Sequence, residues 1–109
     1  MKEFISLTNS SNDLKRFTFT YKESNGTIKN INFGSKTGST YIDHHDKYKR
    51  KNYLNRHKAL GEDWTKINAG SLSALILWGK SYDLYENLIN YLNKFNILHD
   101  FNSENDDSY

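Results

Sequence analysis

Cysteine is absent, which excludes a disulfide scaffold, a thiolate zinc site and a cysteine nucleophile. Proline and valine are absent too, so no Pro-rich linker divides the chain. No apolar run approaches the ~18 residues that would suggest a membrane-spanning helix. The N-terminal stretch MKEFISLTNSSND has no hydrophobic region of a signal peptide. These absences set the expectation of an intracellular protein with no membrane partner. Arginine and alanine are scarce, at three residues each.

The aromatic content runs the other way. Two Trp, eight Tyr and six Phe make 15% of the residues, and that load argues against general disorder although apolar residues reach only 36%. A chain of 109 residues is one domain on length alone. It should bury a surface fraction between the ~60% of a 60-residue domain and the ~70% of a 150-residue one. Asn (14 residues) and Lys (12) are abundant alongside Ile, Tyr and Phe, the residues of AT-rich codons, so Asn content is read as genome drift and not as an aggregation signal.

Charge is uneven along the chain. The formal net charge is +2, but Asp100–Tyr109 holds four acids and no base, leaving fifteen bases against nine acids, a net +6, over residues 1–99. Lys47–Lys58, KYKRKNYLNRHK, carries Lys47, Lys49, Arg50, Lys51, Arg56 and Lys58 with no acid. The expected organisation is one α+β domain over residues 1–99 followed by a flexible acidic tail over 100–109.

The pattern predicts a short strand in residues 2–8, then a period-2 strand with Phe17, Phe19 and Tyr21 on one face. The register of the next hairpin can be chosen from the residues. A two-residue Asn-Gly loop would set Phe19 opposite Asn32, whereas a three-residue loop Ser24-Asn25-Gly26 sets Phe19 opposite Ile31 and Phe17 opposite Phe33, with Gly26 at the left-handed position. Gly34–Ser39 reads as a flexible connection. A helix is predicted from Asp46, its N-cap, to Leu60, with Tyr53, His57 and Leu60 on one side and Gly61 as the stop. A second helix, apolar nearly all round and therefore central, is predicted from Ser71 to Trp78. Ser81 is predicted to cap a third, with Leu84, Leu88, Tyr91, Leu92 and Phe95 as its apolar stripe. The fold expected is α+β: a small antiparallel hairpin or meander followed by three helices packed on one face.

Three blocks carry a resemblance: FGSKTGSTYIDHHD (Phe33–Asp46), KRKNYLNRHKALGEDW (Lys49–Trp64) and AGSLSALILWGKS (Ala69–Ser81). Together they resemble a family of small uncharacterised domains encoded by giant DNA viruses, mimivirus-like and chlorella-virus-like, over roughly 60 residues from Phe33 to Phe95. The family's pattern has Asp where this chain has Thr40, a Pro between the Trp and the Ala-Gly, and a Trp at Ala74. The resemblance implies a viral setting, in an infected-cell cytoplasm or a particle, and implies no mechanism.

Four candidate chemistries follow from the residues. Lys47, Lys49, Arg50, Lys51, Arg56 and Lys58 could neutralise phosphates, with Tyr48 and Tyr53 interleaved, or meet an acidic protein surface, or form a solvated helix face. His44, His45 and His57 near Asp43, Asp46 and Asn55 weakly resemble a metal-dependent His-Asn-His nuclease. The spacing is poor and no hairpin separates the histidines, so no metal and no catalytic residue are assigned. Gly34-Ser35-Lys36-Thr37-Gly38 lacks the order of a phosphate-binding loop and reads as a tight turn, and no serine has the setting of a nucleophile elbow. Trp64 and Trp78 could form an aromatic partner patch, or belong to the core. The reading favoured is a non-enzymatic, cofactor-free viral structural or interaction protein, with a viral or host protein or a second copy as partner. The alternative is a sequence-nonspecific nucleic-acid-binding protein using residues 47–58.

Overall fold

The computed structural model describes residues 1–101; most of the expected acidic tail, including Glu104, Asp106 and Asp107, lies outside them. Three strands, β1 (Glu3–Asn9), β2 (Lys15–Lys22) and β3 (Ile28–Ser35), form an antiparallel sheet in the order β1-β2-β3. Helices follow, giving the α+β fold. The hairpin register is the one the apolar face demands: Phe17 pairs with Phe33 and Phe19 with Ile31. The Glu23 N–H donates to the Thr27 carbonyl at 2.8 Å, and Gly26 closes the three-residue loop at φ 92°.

β1 solves a different problem. Phe4 and Leu7 are three residues apart, so a regular strand would place them on opposite faces. A bulge between Phe4 and Ser6 shifts the register, pairing Phe4 with Tyr21 and Leu7 with Phe19. Both side chains then join the core, and Ile5 is exposed. The opposite sheet face is polar, with Thr18 donating to Asn32 and Thr20 to Asn30 across the strands, each at 2.6 Å.

Gly34 belongs to β3 and not to a flexible connection. Its φ is 78°, and a Cβ there would lie 2.7 Å from Leu77 Cδ1, so the strand ends in close contact with the central helix. Directly after the expected connection, Thr40 caps a helix absent from the sequence reading, α1 (Tyr41–His44). Asp43 Oδ2 accepts from the Thr40 N–H (2.8 Å) and hydroxyl (2.9 Å), while both carboxylate oxygens take the Arg16 guanidinium of β2, at 2.7 and 2.8 Å. This fork ties the sheet to α1.

α2 (Lys47–Ala59) starts at Asp46, whose Oδ1 accepts from Tyr48 N and Lys49 N. Leu60 is 74% exposed, so it does not share the buried side of Tyr53 and His57. α3 (Ala69–Leu72) is capped by Asn68, and the predicted start, Ser71, is its third residue, bonded to Asn68 and to the Tyr91 hydroxyl. From Ser73 to Leu77 the helix widens to a π turn, closed by the Trp78 N–H on the Ser73 carbonyl at 3.0 Å. Asp83, not Ser81, caps α4 (Leu84–Lys94); Ser81 Oγ instead accepts from the Asp83 N–H.

The segment α3 plus π turn lies against β3 and is the central element, with Leu72, Ile76 and Leu77 fully buried. α4 packs against the π turn and reaches the sheet where Tyr91 meets Phe19 edge-on at 5.8 Å. α2 packs on Trp78. After α4 the chain turns back along the free side of β1, where the Phe4 N–H donates to the Leu98 carbonyl, the Leu98 N–H donates to the Lys2 carbonyl, and Phe101 packs on Phe4 at 5.4 Å. The expected boundary after residue 99 therefore falls two residues short of this contact. Among the described residues, no helix is long and apolar enough to cross a membrane.

Candidate functional site

α2 divides by side at about 100° per residue. Arg50, Tyr53, Leu54 and His57 share one side and are partly buried. The rest is exposed and sorts into three rows. Lys47, Lys51 and Lys58 run along one flank, Lys49 and Arg56 along the other, and Tyr48, Asn52 and Asn55 form the ridge between them. None of these five cations lies within ion-pairing distance of a carboxylate among the described residues.

Arg50 stands apart from the other five bases expected to contact nucleic acid or an acidic partner. It turns inward, and its Nε donates to the carbonyls of Trp78 (3.0 Å) and Gly79 (2.9 Å). Its guanidinium also lies 5.6 Å from the Tyr41 ring centroid. The side chain thus closes the end of the π turn, where backbone acceptors would otherwise be orphaned.

An aromatic column anchors the same buried side. Tyr53 is sandwiched between Trp78 (4.2 Å, 6° between planes) and His57 (4.0 Å, 25°). Burial, helped by the Glu62 charge, pushes the Tyr53 phenol up to about 12. Trp78 is 8% exposed and belongs to the core, which removes it from the expected partner patch. Trp64 is half-buried, and its indole N–H donates to Glu62 Oε1 at 2.9 Å. The two Trp therefore do not form one exposed surface.

Glu62 joins the column to the connector. Its other oxygen meets His57 Nδ1 at 2.6 Å. Burial alone would raise its pKa, but hydrogen bonds from His57 and Trp64 outweigh that and hold it below the ordinary value. The ionised carboxylate can only accept, so His57 donates to it from Nδ1. These residues line a cleft of about 380 Å³ with Lys15, Gly34 and Ser73. No hydroxyl is hydrogen-bonded to His57 among the described residues.

The other histidines are engaged elsewhere. His44 Nδ1 accepts from the Asp46 N–H at 2.9 Å, its ring lies against Trp78 at 5.2 Å, and its buried Nε2 has no hydrogen-bond partner among the described residues. His45, at φ 57°, stacks on Tyr82 at 4.1 Å. Asp43 and Asp46 are committed to the caps of α1 and α2, and Asn55 is on the outer ridge of α2, away from His57. Among the described residues no three such side chains converge as metal ligands.

Residues 5–57 match the model of a family of unknown function (DUF5754). The likeness spans just under half of the chain: nearly all of the sheet, α1, and α2 but for its last two residues. No curated protein and no solved structure matches the chain.

Sequence reasoning missed Glu62 and grouped Arg50 with the outward-facing bases. Glu62 follows the Gly61 stop, and that turn returns it to His57 one helical turn back. An acid directly after a helix-ending glycine was the available signal. Nothing in the sequence separates Arg50 from its five basic neighbours except its spacing to Tyr53, Leu54 and His57.

Proposed function

We propose that this chain is a small non-enzymatic protein that binds duplex nucleic acid without strong sequence preference by laying α2 along a groove. The observation that carries this reading is the outward side of α2: two rows of cations, none of them ion-paired among the described residues, flank a ridge of Tyr48, Asn52 and Asn55. A helix of 13 residues is about 20 Å long. Lying in a groove, it would set one row against each phosphate backbone and the ridge toward the base edges. The inward side keeps that surface in place through the Arg50 bonds and the Tyr53 stack. The resemblance to domains of giant DNA viruses supports a setting in the infected cell or the particle, where such a protein would meet viral DNA.

The test is binding of a duplex oligonucleotide by fluorescence anisotropy as salt is varied. Five phosphate contacts predict a slope of log K against log salt of about −4.5. The variant Lys49→Ala/Lys51→Ala should reduce the slope by about 1.8, while Arg50 contributes to stability instead. Truncation after Phe101 should tighten binding by removing acids. Absence of binding at low salt, with or without residues 102–109, would overturn the reading. Salt-sensitive capture of an acidic protein alone would then redirect these residues to a protein partner.

A further inference from the structure

We infer that a cavity between α2, the turn at residues 79–80 and α4 is an oxyanion site that takes a phosphate monoester. The cavity measures about 410 Å³ and is lined by Arg50, Lys80 and Lys94, one cation from each of three elements, and by no acid among the described residues. None of the three lies within 4.0 Å of a carboxylate among the described residues. Three positive side chains around one concave space repel each other unless an anion lies between them.

Arg50 makes the site specific. Its Nε is consumed by the carbonyls of Trp78 and Gly79, and Tyr41 packs near the guanidinium. Its two Nη groups make no hydrogen bond to the described residues, and neither is buried without a partner. A guanidinium fixed through Nε presents its remaining donors in a fork that matches two oxygens of one phosphate. The backbone behind Lys80 is also fixed, because Asn87 bonds the Ile76 carbonyl and both the N–H and carbonyl of Ser81. Asn87 is fully used by these bonds and is not counted as a ligand. Exposed Asn90 adds a donor, and Leu75 and Tyr91 supply an apolar wall. The space exceeds what one phosphate fills and suits a phosphate carried on an organic group, such as a nucleoside 5′-monophosphate or the 5′-phosphorylated end of a strand.

This inference is independent of duplex binding by α2, since it uses the inward base and two lysines outside that helix. The test is titration of the whole chain with inorganic phosphate, a nucleoside 5′-monophosphate and the unphosphorylated nucleoside, followed by NMR on the amides of Gly79 and Lys80. Saturable shifts are expected with both phosphates and not with the nucleoside. Lys80→Ala/Lys94→Ala removes two exposed side chains, so it should weaken binding about tenfold or more with the melting temperature unchanged. Arg50→Lys should abolish the response, and the lysine variant keeps the question open to refutation if Arg50→Lys fails to fold. A 5′-phosphorylated oligonucleotide compared with its 5′-hydroxyl form separates a strand end from a free nucleotide as the source. Absence of saturable phosphate binding, or equal affinity in the lysine variant, would overturn the site.

Discussion

Asn87 is 1% exposed, and replacing it tests how the π turn is held. The wide turn ends at Trp78, and the carbonyl of Ile76 finds its partner in the Asn87 side chain at 2.8 Å. The same amide donates to the Ser81 carbonyl (2.6 Å) and accepts from the Ser81 N–H (3.1 Å). Asn87→Leu keeps the volume and removes all three bonds. Each orphaned buried group costs about 1–3 kcal/mol, and Ser81 is half-buried, so water relieves part of its loss. The expected total is about 2–5 kcal/mol, a large share of the 5–15 kcal/mol typical of a domain. Asn87→Asp should be worse at neutral pH, because a carboxylate would face two carbonyl oxygens with no proton to offer. In the fold its pKa would be raised above the ordinary ~3.9. The stability it retains is therefore fully present below that value and lost as pH rises through the folded pKa. Urea midpoints at pH 7 and pH 4 measure both effects. An Asn87→Leu protein with an unchanged midpoint, or an Asn87→Asp protein that gains nothing on acidification relative to Asn87→Leu, would refute the reasoning.

Gly34→Ala should cost about 2–5 kcal/mol, the sum of ~1–2 for a left-handed backbone and ~1–3 for overpacking against buried Leu77. Gly26→Ala shares the positive φ but meets nothing within 4 Å, so it should cost only the backbone part, about 1–2 kcal/mol. Equal costs in denaturant unfolding would deny the close contact of β3 with the π turn. The hydrogen-bonded Arg16 guanidinium, with the Thr40 bonds, holds Asp43 well below the usual carboxylate range despite burial. Its folded pKa is depressed, so its stabilisation is present above about pH 4 and declines as pH falls toward the folded value. Asp43→Asn should cost about 1–2 kcal/mol at pH 7, after allowance for a half-exposed pair, and its gap from wild type should narrow between pH 4 and pH 2. A gap constant over that interval would count against the Arg16–Asp43 tie.

The sheet was legible in the residues because alternation is a strong constraint: one slip in the hairpin puts Phe19 against Asn32. The bulge at Ile5 was legible only in part, since Phe4, Ile5 and Leu7 are all apolar and the sequence does not say which one is surplus. Helix existence was readable, and helix starts were misplaced by two residues where several capping residues compete, as Asn68 and Ser71 do at the start of α3 and Ser81 and Asp83 before α4. α1 is too short for a periodic pattern, and its signal was Thr40 followed three residues later by Asp43. Treating asparagine as codon drift hid Asn68 and Asn87, because composition cannot tell a buried amide that satisfies three backbone groups from one exposed on α2. The basic run was visible, but its division into two outer rows and one inward arginine needed Trp78 in place.

The polar inner side of α2 follows from what the helix must do. A helix attached by aliphatic residues can shift and rotate at small cost, since dispersion contacts are non-directional. Here Arg50 must reach two particular carbonyls, and Tyr53 must lie flat between Trp78 and His57, whose ring is itself fixed by Glu62. Each of these contacts has a direction, and together they fix the rotation of the helix about its axis. That rotation decides whether the two cationic rows straddle the Tyr48–Asn52–Asn55 ridge symmetrically or one row turns toward the body of the domain. It also fixes the place of Arg50 in the lining of the cavity beside Lys80 and Lys94. One set of buried polar contacts thus positions both the outer cationic surface and the inner oxyanion site, and the two need not act on the same ligand.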